Sequence, residues 1–316
     1  MPIISVVTPC YNGARHLDAL FESMRMQTLT EWEHIVVDDG SGDESAAIVE
    51  QRSANDPRVK LVRQPNGGVA RARNAGYRAA SPDSRYVYFL DADDLLESEM
   101  LQTMVEYLDG HPSVGLAYCD VSCIDGDGAA LANVSAPRYE KTRFGVRLVG
   151  AGEPRTSLLS IYCWAPVMES VSVMRRSVYA LTAGWDETIG QPGEGVDLFV
   201  QIAFHSEVHF IGRRLYRYRR HAAQASAELD RLMRQDLRVQ VKWRDRRDIP
   251  ARFRALIDEA QAFRAGRLRL YLSASAGLGY LRRAQLRHAA RCFLDGLQTA
   301  TRIARRESPW PTQVAL

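Results

Sequence analysis

The feature that most constrains the fold is an alternation of short apolar runs with helical patterns in the first 110 residues. Four runs rich in β-branched or aromatic residues are each followed by turn residues and then by helical periodicity; they are Ile3–Thr8, Glu33–Asp38, Val59–Val62 and Tyr86–Leu90. This alternation is typical of βαβ units and of a buried parallel sheet. We therefore predict an α/β fold whose strands end at one edge, where open sheets of this kind bind their ligands.

The segments between these runs support the same fold. Two of them carry apolar stripes with the helical period, formed by Leu17, Leu20, Phe21 and Met24 and by Leu101, Met104, Val105 and Leu108. Ser41 and Glu44 have the spacing of a capping box, which predicts that the second helix opens there. Strand character returns over residues 112–135, which include an IDGDG turn, and at Val171–Met174, Val208–Ile211 and Leu215–Arg219. We interpret residues 136–165, which are rich in turn formers, as an acceptor-side loop region.

The C-terminal part differs in composition and pattern. Residues 230–316 carry 19 Lys and Arg against 8 Asp and Glu, whereas residues 1–229 carry 22 against 30. Its apolar residues repeat with helical spacing, in one stripe of Phe253, Leu256, Ile257 and Ala260 and another of Leu286, Ala290, Phe293 and Leu297. We predict an α/β domain over residues 1–225 and an all-helical extension over residues 226–316.

Composition limits the location of the chain. At 316 residues it can bury a large core, and it has no apolar run near the roughly 18 residues needed to cross a bilayer. Its start lacks a basic leader and a cleavage site, and its five cysteines are scattered without metal-type spacing. These features predict a cytoplasmic protein with reduced thiols. Because the C-terminal part is basic, a location at the inner face of the membrane is the alternative.

Carboxylates follow two of the predicted strands. YVYFLDADD (86–94) places Asp91, Asp93 and Asp94 at the end of a buried run, where a cation is expected. Asp91 and Asp93 alternate with Ala92 and can point into one site, and such oxygen ligands suit Mg²⁺ or Mn²⁺. The alternative is that Asp93 and Asp94 only cap a helix beginning at Leu95.

Two further motifs carry polar groups at the same predicted edge. VVDDGSGD (36–43) offers an acid pair that can accept hydrogen bonds from a ribose or a base, or that can serve only as a turn and helix cap. GGVARARNAG (67–76) is a glycine-led helix start whose alanines allow close packing on the sheet, while Arg71 and Arg73 supply charge.

Seven motifs, in this order and spacing, resemble the family 2 glycosyltransferases of the GT-A fold. The resemblance covers about residues 1–226 and rests on ISVVTPCYNG (4–13), VVDDGSGD, GGVARARNAG, FLDADD (89–94), AGWDE (183–187), GEGVDL (193–198) and YRYRRHAAQAS (216–226). It implies a mostly parallel GT-A sheet flanked by helices and an inverting, metal-dependent transfer of a sugar from a nucleoside-diphosphate donor. A UDP-sugar is the favoured donor, in the synthesis of glycans, cell-surface polysaccharides or secondary metabolites.

The resemblance also implies roles for single residues. Thr8, Pro9 and Tyr11 would border the nucleobase, and Asp39 would bind the base or the ribose. Arg71 would lie along the nucleotide, and Asp91 would contact the ribose or the sugar. Asp93 would ligate Mn²⁺ or Mg²⁺ as the DXD motif, and His221 would approach the diphosphate or the metal.

The sequence departs from the family pattern at the expected general base. The family reads Gly-Glu-Asp where this chain has Gly193-Glu194-Gly195, so the usual base is missing. Three hypotheses follow: Glu194 acts as base because Gly195 leaves space, the acceptor needs little help, or the protein binds donor without transferring it. We favour Glu194, with Asp197 on roughly the same helix face.

Other functions fit the sequence less well. A nucleotidylyltransferase would carry GxGTRxxP after the first strand, and a dinucleotide oxidoreductase would carry GxGxxG, whereas this chain has TPCYNG. For the basic C-terminal helices we favour a packed bundle without nucleic-acid binding; peripheral membrane contact and a homodimer through these helices stay open. The sequence leaves the acceptor open among a saccharide, a lipid-linked group, a peptide and a small molecule.

Overall fold

A computed structural model describes most of the N-terminal three-quarters of the chain. The described residues are 1–131, 155–156, 158, 161–162, 169–191, 193–220, 229–247, 249–258, 278, 286–287, 290–291, 293–294 and 297–298. The chain forms two compact units, Met1–Gln235 and Asp236–Leu316. The composition predicted a boundary at residues 225/226, and the division between the units falls ten residues later.

The first unit is built on a mixed eight-stranded sheet. Its strands are β1 (Ile4–Cys10), β2 (Trp32–Asp38), β3 (Val59–Arg63), β4 (Tyr86–Phe89), β5 (Leu95–Leu96), β6 (Val114–Ile124), β7 (Ser172–Arg175) and β8 (Glu207–Arg219), in the order β3-β2-β1-β4-β7-β6-β8-β5. The helices are α1 (Ala14–Arg25), α2 (Ser45–Asn55), α3 (Val69–Ala79), α4 (Met100–Gly110), α5 (Arg176–Tyr179) and α6 (Glu194–His205), and a 3₁₀ turn, Glu169–Val171, precedes β7. Helix α7 (Leu229–Asp245) continues into the second unit.

The four N-terminal strands confirm the predicted βαβ pattern. β1 pairs in parallel with β2 and β4, and β2 pairs in parallel with β3. β7 is antiparallel to both β4 and β6, so the parallel half of the sheet ends at β4. The carboxyl ends of β1, β2 and β4 therefore lie at one edge, as the sequence pattern predicted.

The predicted helical stripes of α1 and α4 are confirmed. All four apolar residues of each stripe are buried; they are Leu17, Leu20, Phe21 and Met24 in α1 and Leu101, Met104, Val105 and Leu108 in α4. These faces cover the sheet because the 3.6-residue period returns an apolar side chain to the same side at every turn.

Three local features differ in detail from the sequence pattern. The capping box does not form, because Ser41 Oγ accepts from Asn12 N (3.0 Å) and the Asp43 carboxylate accepts from Ser45 N (3.0 Å) at the start of α2. No helix begins at Leu95, because residues 95–96 pair with β8 as β5. The two runs predicted within residues 208–219 are one strand, which keeps its pairing with β6 through register shifts.

Helix α3 approaches the sheet closely through Gly76. A β-carbon at this position would lie 2.2 Å from Val7 Cγ1 and 3.1 Å from Val37 Cγ2. Both valines are fully buried and stiff at χ1, so neither can move away easily. Gly76 therefore sets the distance between α3 and strands β1 and β2, which also positions the charged residues of this helix.

We expect Gly76→Ala to lower the free energy of unfolding by about 1 to 3 kcal/mol, because overpacking outweighs the gain in helix propensity of about 1 kcal/mol. Gly110→Ala is the matched control, since nothing lies within 4 Å of a β-carbon there. Urea unfolding of both variants measures the difference. A Gly76→Ala variant as stable as the control would show that the contact relaxes without cost.

The second unit is helical where it is described. Residues 251–258 form a helix, and Ile257, from the predicted stripe, is buried. The described apolar residues of the later stripe are exposed, with Leu286 at 68%, Phe293 at 38% and Leu297 at 64%. Among the described residues, no helix combines the length and the apolar composition that crossing a membrane requires.

Candidate active site

The centre of the candidate site is the buried guanidinium of Arg73. Its Nη2 donates to Asp91 Oδ1 (2.9 Å) and its Nη1 to Glu194 Oε1 (3.0 Å), so helix α3, the end of β4 and helix α6 meet at one cation. The guanidinium carbon also lies 4.5 Å from the centre of the Trp185 ring. Arg73 is fully buried, and such a charge is tolerated only when it is paired.

Arg73 is a residue whose role the sequence interpretation missed. Arg71 was assigned to the nucleotide, and Arg73 was credited only with charge. The signal was present, because Arg73 lies three residues after Ala70 and three before Gly76, on the helix face that packs on the sheet. An arginine at that position needs an acidic partner inside the protein.

The AGWDE motif supports this centre from the other side. Asn74 receives a hydrogen bond from Trp185 N (3.1 Å) and donates one to Trp185 O (2.8 Å). Gly184, just before the tryptophan, has φ +72°, a conformation that favours glycine. The motif therefore fixes the indole against Arg73, which explains why GGVARARNAG and AGWDE occur together.

The two acids that follow Asp91 have different surroundings. Asp94 is buried and accepts from Tyr216 Oη (2.6 Å) and from Arg219 N (2.6 Å), so it ties the DADD loop to β8. Burial, with Asp93 and Asp91 nearby, raises the pKa of Asp94 well above its ordinary value. Asp93 is partly exposed and close enough to influence both neighbouring carboxyls. Of these two, Asp93 is placed to meet a ligand.

The end of β8 is joined to the same loop. Arg219 Nε donates to Asp93 O (2.6 Å), and its Nη1 donates to Gly126 O (2.9 Å). The YRYRRH motif therefore brings the chain to the acidic edge just before residue 221. His221 itself lies outside the described residues, so its role toward the diphosphate or the metal stays a prediction.

Asp39 holds the turn that leads into α3. Its carboxylate accepts from Gly67 N (2.9 Å), Gly68 N (2.8 Å) and Gln64 Nε2 (2.7 Å), and the residue is buried. The exposed Arg71 lies over the same turn, because a β-carbon on Gly67 would meet Arg71 Cδ at 2.3 Å. Asp39 and Arg71 are thus neighbours at the sheet edge, and their contact with a nucleotide stays a prediction.

The residues after β1 divide between the interior and the surface. Pro9 is partly exposed and Tyr11 is 57% exposed, as a role beside a base requires. The Thr8 side chain is fully buried, with its hydroxyl 2.9 Å from His34 Nε2. The Thr8 side chain faces the core because side chains alternate along a strand. That Thr8, Pro9 and Tyr11 border the nucleobase stays a prediction.

The two acids of GEGVDL are inside the protein. Glu194 is 1% exposed, and its second oxygen accepts from Gly193 N (3.0 Å). Asp197 is fully buried and accepts from Gln201 Nε2 (3.0 Å), while Gln201 Oε1 accepts from Ala183 N (3.0 Å). Asp197 therefore anchors α6 to the AGWDE loop. Its catalytic role stays a prediction.

The space beside Gly195 is filled, contrary to the sequence interpretation. A β-carbon at this position would lie 1.9 Å from Glu169 Oε1 and 2.7 Å from Glu169 Cδ. The expectation that Glu194 moves into an open space is corrected for that reason. Glu169 lies on the 3₁₀ turn before β7, outside every motif of the resemblance, so no sequence pattern marks it.

We expect the stability of the chain to depend on pH through Glu194. Burial and the nearby Glu169 and Asp91 raise the pKa of Glu194 to about 7, although Arg73 acts in the opposite direction. The unfolded value is about 4.3. Between these values the folded chain binds more protons than the unfolded chain, so the free energy of unfolding falls as pH rises toward 7.

Replacing Glu194 by glutamine tests this expectation. Between pH 5 and pH 8 the free energy of unfolding of the wild type should fall by roughly 1 to 3 kcal/mol relative to that of Glu194→Gln. Denaturant unfolding at several pH values measures the loss, and Glu106→Gln, an exposed change on α4, is the control. Parallel pH profiles for the wild type and Glu194→Gln would contradict the assignment.

The fold is shared with solved structures at low sequence identity. The S. aureus TarS structure in complex with UDP matches with a TM-score of 0.59 and 16% identity, over 98% of this chain and 93% of that one. The mannosyltransferase PcManGT from Pyrobaculum calidifontis, in complex with GDP-Man and Mn²⁺, matches with a TM-score of 0.61 and 19% identity, over 97% and 80%. The first unit therefore has the GT-A glycosyltransferase fold.

The sequence comparisons name the family. The model of glycosyl transferase family 2 matches residues 5–146. The uncharacterized glycosyltransferase EpsJ of Bacillus subtilis is 37% identical over 106 residues, which is 34% of this chain and 30% of EpsJ. Residues 5–146 thus match the family 2 glycosyltransferase model and lie within a GT-A fold. The matched part spans between 13% and 51% of the lengths of these curated relatives.

Proposed function

We propose that this protein transfers a sugar from a nucleoside-diphosphate donor to an acceptor, with inversion at the anomeric carbon. The observation that carries the proposal is the convergence of Asp91, Arg73 and Glu194 at the carboxyl edge of a family 2 domain. A packed core does not need this cluster, and perturbed charges at such an edge indicate a functional site.

The donor would lie along the edge between the turns after β1 and β2. Pro9 and Tyr11 would border the base, Asp39 and Arg71 would face the base and ribose, and Asp91 would contact the ribose or the sugar. A UDP-sugar is our favoured donor, supported by the UDP bound to TarS. The acceptor remains open among saccharides, lipid-linked groups, peptides and small molecules.

The residues at this edge fit a divalent cation. Among the described residues, no three His, Cys, Asp or Glu side chains are placed to hold a metal. A cation that takes its other ligands from phosphate and water needs only one or two carboxylates, however, and Asp93 offers hard oxygen donors at the mouth of the site. Asp93, with His221, would hold Mn²⁺ or Mg²⁺, which would stabilise negative charge on the departing diphosphate.

Arg73 supports this chemistry without touching the donor. It holds Asp91 and Glu194 in fixed rotamers, so the site does not have to reorganise when charge develops on the sugar. The Asp94 contacts to β8 hold the DADD loop in the same way. The chain thus orients the acids of the site by buried contacts from α3 and β8.

The proposal is tested by a donor screen. UDP, GDP and dTDP sugars are added with Mn²⁺, and a donor that binds at 100 times its Kd should stabilise the fold by about 2.7 kcal/mol. The melting temperature should rise with sugars of one nucleotide class and return to its starting value when the metal is chelated. Release of the nucleoside diphosphate by the same donor measures turnover. No stabilisation and no release with any donor would overturn the proposed function.

Two partner assignments outside the site also remain proposals. The exposed apolar residues Leu286, Phe293 and Leu297 would pair with a second chain as a homodimer or rest on a membrane surface. A cytoplasmic location, with contact at the inner face of the membrane, belongs to the same proposal. Sedimentation of the full chain, with and without anionic vesicles, tests these alternatives.

A further inference from the structure

The carboxylate of Glu169 occupies the place that a side chain at residue 195 would take. A β-carbon on Gly195 would lie within 3.0 Å of Glu169 Cγ, Cδ and Oε1, so a side chain at residue 195 would displace the Glu169 carboxylate from this place. The turn that carries Glu169 is fixed, since Ser172 Oγ donates to Glu169 O (2.9 Å) and Tyr88 Oη donates to Ser170 O (2.6 Å). The 3₁₀ turn before β7 therefore delivers a carboxylate to the first turn of α6.

Three carboxylates surround Arg73, and they differ in availability. Glu194 is buried and both its oxygens are bonded. Asp91 uses one oxygen to bind Arg73. Glu169 is partly exposed, and its carboxylate has no hydrogen bond or ion pair with the part of the chain that the structure describes. Of the three, Glu169 alone combines access from solvent with two uncommitted oxygens in the described part.

The electrostatics of the cluster separate the two glutamates. One guanidinium faces three carboxylates, so ionising all of them leaves an excess of negative charge in a poorly solvated place. Burial is the largest cause of the raised pKa of Glu194, and the nearby Glu169 carboxylate is the second. Neighbouring acids in such unlike surroundings take different roles, and the more solvated one is suited to accept a proton.

We propose that Glu169 is the general base that deprotonates the acceptor hydroxyl above the first turn of α6. The inference rests on the proposed function. The proton of the acceptor O–H passes to a Glu169 oxygen while the acceptor oxygen bonds to the anomeric carbon. The bond from that carbon to the diphosphate oxygen breaks, and its electron pair leaves with the nucleoside diphosphate.

The first experiment compares Glu169→Gln with the wild type. The probe is the nucleotide sugar that stabilises the protein most in the donor screen, with water as acceptor, and the readout is nucleoside diphosphate release. We expect kcat to fall by about 10² to 10⁴, with the donor KM nearly unchanged. The melting temperature of Glu169→Gln should equal or exceed that of the wild type, since a repulsive charge is removed.

A side-chain swap gives a second, independent readout. Gly195→Asp alone should lower the rate, because its side chain collides with Glu169. In the double variant Glu169→Ala with Gly195→Asp the space is free, and the rate should exceed that of Glu169→Ala by at least about tenfold. Glu106→Gln, the same chemical change on the exposed face of α4, serves as the control and should keep the wild-type rate.

The outcomes separate the two proposals. A wild type that binds no nucleotide sugar and releases no diphosphate overturns the proposed function and the base with it. A wild type that turns over while Glu169→Gln keeps the same kcat overturns only the base. Loss of donor binding in a folded Glu169→Gln variant would also overturn it, since that places Glu169 on the donor.

Discussion

Replacing Arg73 by methionine should lower the free energy of unfolding by about 3 to 5 kcal/mol, the cost of leaving buried charges without a partner. Methionine fills a similar volume but donates no hydrogen bond, so Asp91 and Glu194 would lose their shared cation. The cation–π contact between Arg73 and the Trp185 ring would be lost as well. Chemical denaturation at pH 7 measures the loss.

Arg78→Met is the matched control, because Arg78 lies on the same helix with its side chain exposed. Its stability should stay within about 0.5 kcal/mol of the wild type. The stability of Arg73→Lys should lie between those of Arg73→Met and Arg78→Met, because one ammonium cannot reproduce the two-pronged donation of a guanidinium. A stable Arg73→Met variant would mean that both carboxyls are protonated in the folded chain, and the charge assignment of the cluster would be wrong.

Asp93→Ala should abolish metal-dependent nucleotide binding and reduce turnover by more than about 10³, while the protein stays folded. The carboxylate is partly exposed at the edge of the sheet, so on the proposed function its loss would remove a metal ligand without opening a cavity. Loss of a Lewis acid removes several kcal/mol of stabilisation from the departing diphosphate. Thermal shift with donor and Mn²⁺, together with nucleoside diphosphate release, measures both effects.

Variants of two other acids, Asp127 and Asp94, serve as controls for this experiment. Asp127→Ala changes an exposed acid in the turn after β6 and should behave like the wild type. Asp94→Ala should instead lower the melting temperature, because Tyr216 and Arg219 would lose a buried acceptor. Metal-dependent binding that survives Asp93→Ala would show that the metal is held elsewhere.

The N-terminal half of the sheet was predictable because its signal is local. Each strand of β1 to β4 is a short apolar run, and the stripes of α1 and α4 return every 3.6 residues, so each element is specified by its own residues. Local patterns leave alternatives open where a distant partner decides the outcome. Leu95 and Leu96 could continue into a helix, but their pairing with Arg217 and Tyr216 makes them a strand.

The candidate site shows the same division. The sequence by itself determined that the strands end at one edge of the sheet and that Asp39, Asp91 and Asp93 follow those strand ends, because each motif lies directly after a strand. Only the tertiary structure decided that Arg73 is the buried counter-ion, since its partners lie 18 and 121 positions away. It also decided that Glu169 fills the space beside Gly195, because that contact joins a turn before β7 to the start of α6. Such contacts depend on packing between elements, and no local pattern encodes them.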